Sequence, residues 1–360
     1  MTVALIGPYP PPYGGVSVHI RRLHHQLAAN GIRSLVYCQP QPSLALEPGI
    51  VPARRRLTWK RWLLENGWRC PASIIHCHDG WDWSPALWLM VRAGKLVVMT
   101  FHDEMTLQKW EASSPLSRFA ARKLMRSRRV SWVAVSEPVK VQLESLNTPA
   151  GRISVIPAFI RSGDHVAGIS DLPRAVNTFL ASHSPIVSTY GSKLILDLLG
   201  NDVYGFDLCL EMTHDLKRHF PQIGILILLP DIRLIEYFAE LQQRVVGLGI
   251  KDNVCFLTGP TENAGSIWCR SNVFVRATNT DGDAISVREA LSLHVPVVAS
   301  DASPRPEGVV LFRSRDQADL TESVRRVLAG QDTTLSRLSD IEVNDNFEAL
   351  CELYRHIRVL

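Results

Sequence analysis

TNTDGDAISVREALSLHVPVVAS, Thr278 to Ser300, holds a loop, a helix and a strand in one stretch. The opening residues are polar and carry a glycine, as loops do. A helix is expected from Ile285. VPVVAS then gives a short valine-rich run that suits a strand buried on both faces. Two acids, Asp281 and Glu289, stand eight residues apart across the loop-to-helix junction.

The first N–H groups of a helix lack partners inside it, and its dipole end is positive. A diphosphate would be held well at Ile285. Ser286 could cap this helix or donate its hydroxyl. Glu289, one turn along, suits chelation of the two hydroxyls of a ribose. Asp281 would reach past the phosphates toward whatever they carry. Together these groups describe a site for a nucleotide-activated sugar. A capped helix with acids in its first turn, favoured by the dipole alone, is the plainer alternative.

Outward from this stretch the same alternation recurs. Strands are expected at Thr2–Ile6, Ser34–Tyr37, Ile74–Cys77, Leu96–Phe101, Val130–Val135 and Ile153–Ile156, with helical patterns between them such as Val16–Ala29. Residues 161–184 lose the strand pattern and are read as a linker. A second series follows, with strands at Pro185–Ser188, Gly224–Leu229, Val254–Leu257, Val273–Val275 and Val297–Ala299. Helical patterns near Asp207–His219, Ile232–Leu248 and Ala264–Ser271 separate them, and Leu320–Leu328 and Asn346–His356 are terminal helices. Strands spaced by helices mean βαβ units and parallel sheets. The fold class is therefore α/β, two doubly wound domains, with the cleft between them as the expected site.

Length and composition agree. A chain of 360 residues suits two domains. Its 46% hydrophobic and 21% charged residues are those of a soluble globular protein. MTVALIGPYPPP has no basic n-region, so it reads as a first strand and not a signal peptide. The seven cysteines form no CxxC pair, which points to a reducing compartment and away from a structural metal site. Residues 1–165 carry 21 Lys and Arg against 10 Asp and Glu, while the rest carry 18 against 25. The first half is thus expected to face something anionic.

Within that half, GPYPPPYGGVSVHI puts Gly14 and Gly15 at a helix start, where a ligand could approach the backbone closely. A plain strand-to-helix turn would look the same. His76, His78 and His102 stand at strand ends. His102 is the preferred functional residue, with Asp103 and Glu104 placed to orient it or face a ligand. His76 and His78 are read as loop packing. An HxH pair could bind a metal, but no third ligand at a suitable spacing is evident, so no metal is expected. Two stretches, Arg54–Arg69 and Ser117–Val130, mix basic with aromatic and apolar residues, as interfacial helices on anionic membranes do. Ordinary surface helices would share the pattern. No nucleic-acid module is recognisable, so nucleic acid is not expected as a partner.

The ordered set of motifs resembles a retaining glycosyltransferase of the GT-B fold and family 4 type (glycosyl transferases group 1). It comprises Gly14-Gly15, FHD at Phe101–Asp103, VAVSE at Val133–Glu137, VIP at Val155–Pro157, VCFLTGPTE at Val254–Glu262, DGDAISVREALSLHVPVVAS and ASPRPEG at Ala302–Gly308. The resemblance implies two Rossmann-like domains: residues 1–165 binding the acceptor, residues 166–335 binding a nucleotide sugar, and residues 336–360 crossing back to the first. It implies that Glu289 binds the ribose and that Asp281, His102 and Glu289 serve catalysis. Asp283, Ala284, Ile285, Ser286 and Val287 would meet sugar hydroxyls and phosphate. Gly14 and Gly15 would meet the diphosphate, and Thr258 and Gly259 the base. The family's Lys-Gly pair is replaced by Tyr204-Gly205, with Lys193 a candidate substitute. No cofactor is implied beyond the nucleotide sugar as co-substrate. The acceptor would be a glycan or lipid-linked hydroxyl. The setting would be cytoplasmic, with the basic half on the inner face of the cell membrane. A catalytically silent relative or a sugar-nucleotide epimerase would share these motifs.

Overall fold

A computed structural model describes residues 1–11, 13–40, 47–78, 80–161, 172–259, 264–281, 283–332 and 343–359. The chain forms two compact units, Met1–Gly163 with Asp345–Leu360, and Asp164–Asn344.

The first unit contains β1 (Thr2–Ile6), β2 (Arg33–Cys38), β3 (Ile50–Pro52), β4 (Ile74–Cys77), β5 (Leu96–Phe101), β6 (Val130–Ala134) and β7 (Ile153–Val155). They form one parallel sheet in the order β3-β2-β1-β4-β5-β6-β7. Every residue of β4 and β6 is buried, as helices on both faces require. The helix Gly15–Ala29 lays Ile20, Leu23 and Leu27 into this core. The last helix, Phe347–Ile357, buries Phe347, Leu350, Cys351, Tyr354 and Ile357 in the same core as Val3, Leu5 and Ile20. Those five recur at helical spacing, so one apolar stripe docks the chain end on the first unit.

The second unit contains β8 (Ile186–Tyr190), β9 (Gly224–Leu229), β10 (Val254–Thr258), β11 (Val273–Arg276), β12 (Val297–Ser300) and β13 (Val309–Phe312). They pair in parallel in the order β10-β9-β8-β11-β12-β13. Both sheets are α/β, and both reverse their direction of growth, between β1 and β4 and between β8 and β11. Loops at the carboxyl ends of those strands are where such sheets bind ligands.

The alternation read from the sequence gives the central strands to within two residues. It misses β3 and β13, each a short edge strand beside prolines. It also reads residues 161–184 as linker. Of these, 162–171 lie outside the described residues, but Arg174–Ser182 is a helix whose single buried residue is Val176. One buried position gives no periodicity to detect. No helix among the described residues is long and apolar enough to cross a membrane.

Candidate active site

In the second unit the opening stretch folds as a loop from the end of β11, the helix Ile285–Ser292 and β12. The strand ends in Arg276, and that guanidinium organises the loop. Its Nε and Nη2 donate to Asp281 Oδ2 and Oδ1 at 2.9 and 3.1 Å, and its Nη1 donates to the Tyr190 carbonyl at 2.8 Å. Arg305, from the ASPRPEG loop, donates through Nη1 to Asp281 Oδ2 at 2.9 Å and through Nε to the Ser300 carbonyl at 3.0 Å. The Ser303 hydroxyl accepts from the Asp281 N–H at 3.1 Å and donates to its carbonyl at 2.9 Å. Burial alone would push the Asp281 carboxyl up. The charges and hydrogen bonds of Arg276 and then Arg305 outweigh it and hold the group below its ordinary value. Burial opposes the charge on Arg276 too, but Asp281 again prevails and raises it.

The acid expected to meet a sugar is therefore already committed to two arginines. Asp283 is committed as well, accepting from Arg288 Nε at 2.5 Å. Three arginines (276, 288 and 305) pair with two acids (Asp281 and Asp283) around this loop, and Glu289 is buried on the helix that follows.

The helix start supplies the N–H groups. Its N-cap is Ala284, with no side-chain cap. Ser286 thus lies inside the first turn and does not cap the helix. The Val287 N–H is spent on the Ala284 carbonyl at 3.0 Å, which removes Val287 from the expected phosphate cradle. No acceptor among the described residues takes the N–H of Ile285 or Ser286. Glu289 is buried one turn further on. Its charge helps to raise the Tyr190 phenol, whose shift comes first from burial.

Tyr204 replaces the lysine that the resemblance led to expect. Its ring lies 4.9 Å from the Arg276 guanidinium and its hydroxyl pairs with Ser192 Oγ at 2.9 Å. A guanidinium thus lies against the face of the Tyr204 ring. Lys193 is exposed, with no ion-pair partner among the described residues. Gly205 has φ 68°, and a Cβ there would sit 2.3 Å from the Ala277 carbonyl oxygen, so only glycine fits. Thr258 and Gly259 end β10 at the same sheet edge, three strands or about 14 Å from β11. Residues 260–263, the remainder of the expected base pocket, lie outside the described residues.

In the first unit, Gly14 N-caps the helix Gly15–Ala29, and Ser17 Oγ accepts its N–H at 2.9 Å. One turn on, His19 points its ring at the carboxyl ends of β4 and β5. There it meets His78 and His102, with ring centres 5.2 and 5.1 Å away. His78 Nδ1 and His102 Nε2 are 3.0 Å apart. Burial, and then the neighbouring rings, push His78 and His102 well below their ordinary values. Burial brings His19 down to about 4. All three are neutral at pH 7.

This corrects two expectations. Asp103 does not orient His102: its carboxylate takes the Lys109 ammonium and the Met105 N–H. His76 and His78 are not loop packing. His76 is a fully buried strand residue bonded to Tyr354 Oη at 2.5 Å and Thr100 Oγ1 at 2.6 Å. His78 has His19 as the neighbour that spacing along the chain did not offer. The residues missed were His19, Arg276 and Arg305. A charged residue closing the apolar strand VFVR was the available sign of the second.

Two doubly wound units, each with polar loops at its switch point, define the GT-B class of glycosyltransferase. Residues 13–162 match the family described as Glycosyltransferase Family 4, and residues 198–330 match Glycosyl transferases group 1. The chain belongs to this family of glycosyltransferases. Among solved structures it is similar to a glycosyltransferase from Rickettsia africae, at 13% identity and TM-score 0.71 over 99% of this chain and 98% of that one. It is likewise similar to Anabaena HepE in complex with UDP-glucose, at 14% identity and TM-score 0.70 over 99% and 100%. A third is WaaG, a glycosyltransferase involved in lipopolysaccharide biosynthesis, at 15% identity and TM-score 0.68 over 98% and 99%. A search of the curated proteins finds no match to this sequence.

Proposed function

We propose that the second unit binds a nucleoside-diphosphate sugar and that the enzyme transfers the sugar to a hydroxyl acceptor with retention of configuration. The observation that carries this is the placement of two unpaired helix-start N–H groups, a guanidinium pair and a buried Glu289 around one loop at the switch point. The diphosphate would lie on the N–H groups of Ile285 and Ser286. Arg276 and Arg305 would share their Asp281 bonds with it, each charge-assisted contact adding about 1.5–3 kcal/mol. Glu289 would take the ribose hydroxyls, and Thr258 and Gly259 would border the base.

As the bond from the anomeric carbon to the phosphate oxygen breaks, negative charge collects on the leaving diphosphate, where those donors stabilise it. The acceptor oxygen bonds the same face of that carbon. Its proton passes to the departing phosphate oxygen. No protein nucleophile and no metal ion at the diphosphate are needed in this scheme. The bound UDP-glucose of HepE makes a uridine donor the first to test.

The acceptor, on this reading, is a glycan or lipid-linked hydroxyl met by the first unit at the inner face of a membrane. Trp59–Glu65 and Pro115–Met125 both pack on the helix Ser84–Arg92, so the two basic stretches share one side. They bury Trp62 and Leu124 but leave Leu64, Trp68, Leu116 and Phe119 exposed among arginines and lysines. The unit should sediment with phosphatidylserine vesicles at low salt. Failure to do so removes the membrane from the proposal.

Tyr204 at the lysine position and the committed Asp281 favour a second reading, a silent relative that binds without transfer. A thermal-shift panel of UDP-, GDP-, ADP- and dTDP-sugars tests the donor site. A donor at a hundredfold excess over Kd adds about 2.7 kcal/mol of stability. A shift with one nucleotide class, lost in Glu289→Ala, is expected. No shift with any of them sinks the donor site, and a shift without turnover on any acceptor favours the silent relative.

A further inference from the structure

We propose that His19, His78 and His102 form a binding site for one divalent transition-metal ion of the zinc class, in the first unit. The three side chains come from the first turns of Gly15–Ala29 and from the residues just after β4 and β5. The order β1-β4-β5 in the sheet makes these neighbours although they are far apart in sequence. One ring nitrogen from each lies within 4.8 Å of the other two.

Three observations point to a metal. The ring centres form a nearly equilateral triangle with sides of 5.1, 5.2 and 5.3 Å. Three imidazoles on a tetrahedral ion, bound at about 2.1 Å, put their ring centres about 5.2 Å apart. Small side-chain rotations would then bring the nitrogens onto the ion. His19 gives its Nδ1–H to the Ala158 carbonyl at 2.6 Å, which fixes the tautomer and leaves Nε2 as a lone-pair donor. A ligating histidine is commonly held by such a backbone carbonyl. Finally, His19 Nε2 and His78 Nε2 are buried with no hydrogen-bond partner among the described residues, at 2% and 6% exposure for the two residues. His76, its ring centre 4.0 Å from that of His78, has partners for both nitrogens and serves as backing.

Neutral nitrogen donors select zinc, cobalt or nickel over magnesium and calcium, which want oxygen. Three protein ligands leave a fourth position for water or a substrate oxygen. This inference revises the metal-free expectation for the first unit and does not depend on the donor site of the second.

The test uses the full chain, stripped with a chelator and titrated with cobalt(II) alone, then with zinc(II). One equivalent of cobalt should give the intense visible absorption of a tetrahedral site, and zinc should displace it and raise Tm. This result needs no variant. In His102→Gln, at the partly exposed corner of the triangle, and in His19→Gln, affinity should fall by more than the ~10–100-fold that loss of a supporting group costs. Glu289→Ala should bind cobalt as the wild type does. No stoichiometric cobalt band, or a band that survives in both histidine variants, overturns the site and leaves the triangle a pocket for water or a sugar hydroxyl.

Discussion

The two switch points solve the problem of burying polar groups in opposite ways. In the second unit, Arg276, Asp281 and Arg305 are charged and spend their bonds on one another. In the first, His19, His78 and His102 are neutral, and two ring nitrogens are left over. A charged cluster is costly to leave half paired, because the remaining charge keeps its full desolvation penalty. A neutral cluster can carry an unused lone pair at far smaller cost. The first arrangement is held by what it contains, the second by what it could receive.

The largest expected effect breaks the charged cluster. Asp281→Ala leaves two guanidinium groups buried against each other, and removal of one member of a buried ionic group costs about 3–5 kcal/mol. His78→Gln leaves no charge behind and should cost about 1–2 kcal/mol. Urea unfolding of the two variants against wild type measures the contrast. Equal losses would mean that the Arg276–Asp281–Arg305 group is solvated in solution and that the two sites do not differ in kind.

The sequence showed the sheets better than it showed either site. Central strands such as GILILL at Gly224–Leu229 are apolar throughout and need no context to be read. The loop and helix around Ile285 were legible because a polar, glycine-containing run meets helical spacing there. The roles of Asp281 and Ser286 were not. Asp281's partners, Arg276 and Arg305, lie on either side of it and reach it only once β11, β12 and their loops are in place. His19 was hidden for a related reason. It stands 59 residues before His78, and only the adjacency of β1 and β4 brings the two rings together. Spacing along the chain reports neighbours within an element, while strand order decides neighbours between elements.

A third buried group sharpens the contrast, because it is an acid whose carboxylate makes no ion pair among the described residues. Asp202 is 1% exposed and accepts from the N–H groups of Tyr204 and Phe206 at 2.9 and 3.1 Å and from Tyr237 Oη at 3.1 Å. Arg315 gives its paired bonds to the Asp207 carboxylate and reaches only the backbone carbonyl of Asp202, at 3.4 Å. Burial first, and then the Asp207 charge, raise the Asp202 carboxyl to about 6, against the hydrogen bonds that lower it. A group raised on folding binds more protons folded than unfolded. Its contribution is complete below its unfolded value near 3.8 and is lost as pH rises through about 6. The wild type should therefore lose about 2–3 kcal/mol between pH 4 and pH 7 from this residue alone. Asp281, held below its ordinary value, acts in the opposite sense and in a lower window: it loses its contribution as pH falls through its own folded value. Urea midpoints of wild type and Asp202→Asn across pH 4 to 7.5 separate the two, since the variant removes only the upper step. A difference between them that stays flat over this range would mean that the three donors hold Asp202 ionised, and that a buried carboxylate here needs no arginine to keep its charge.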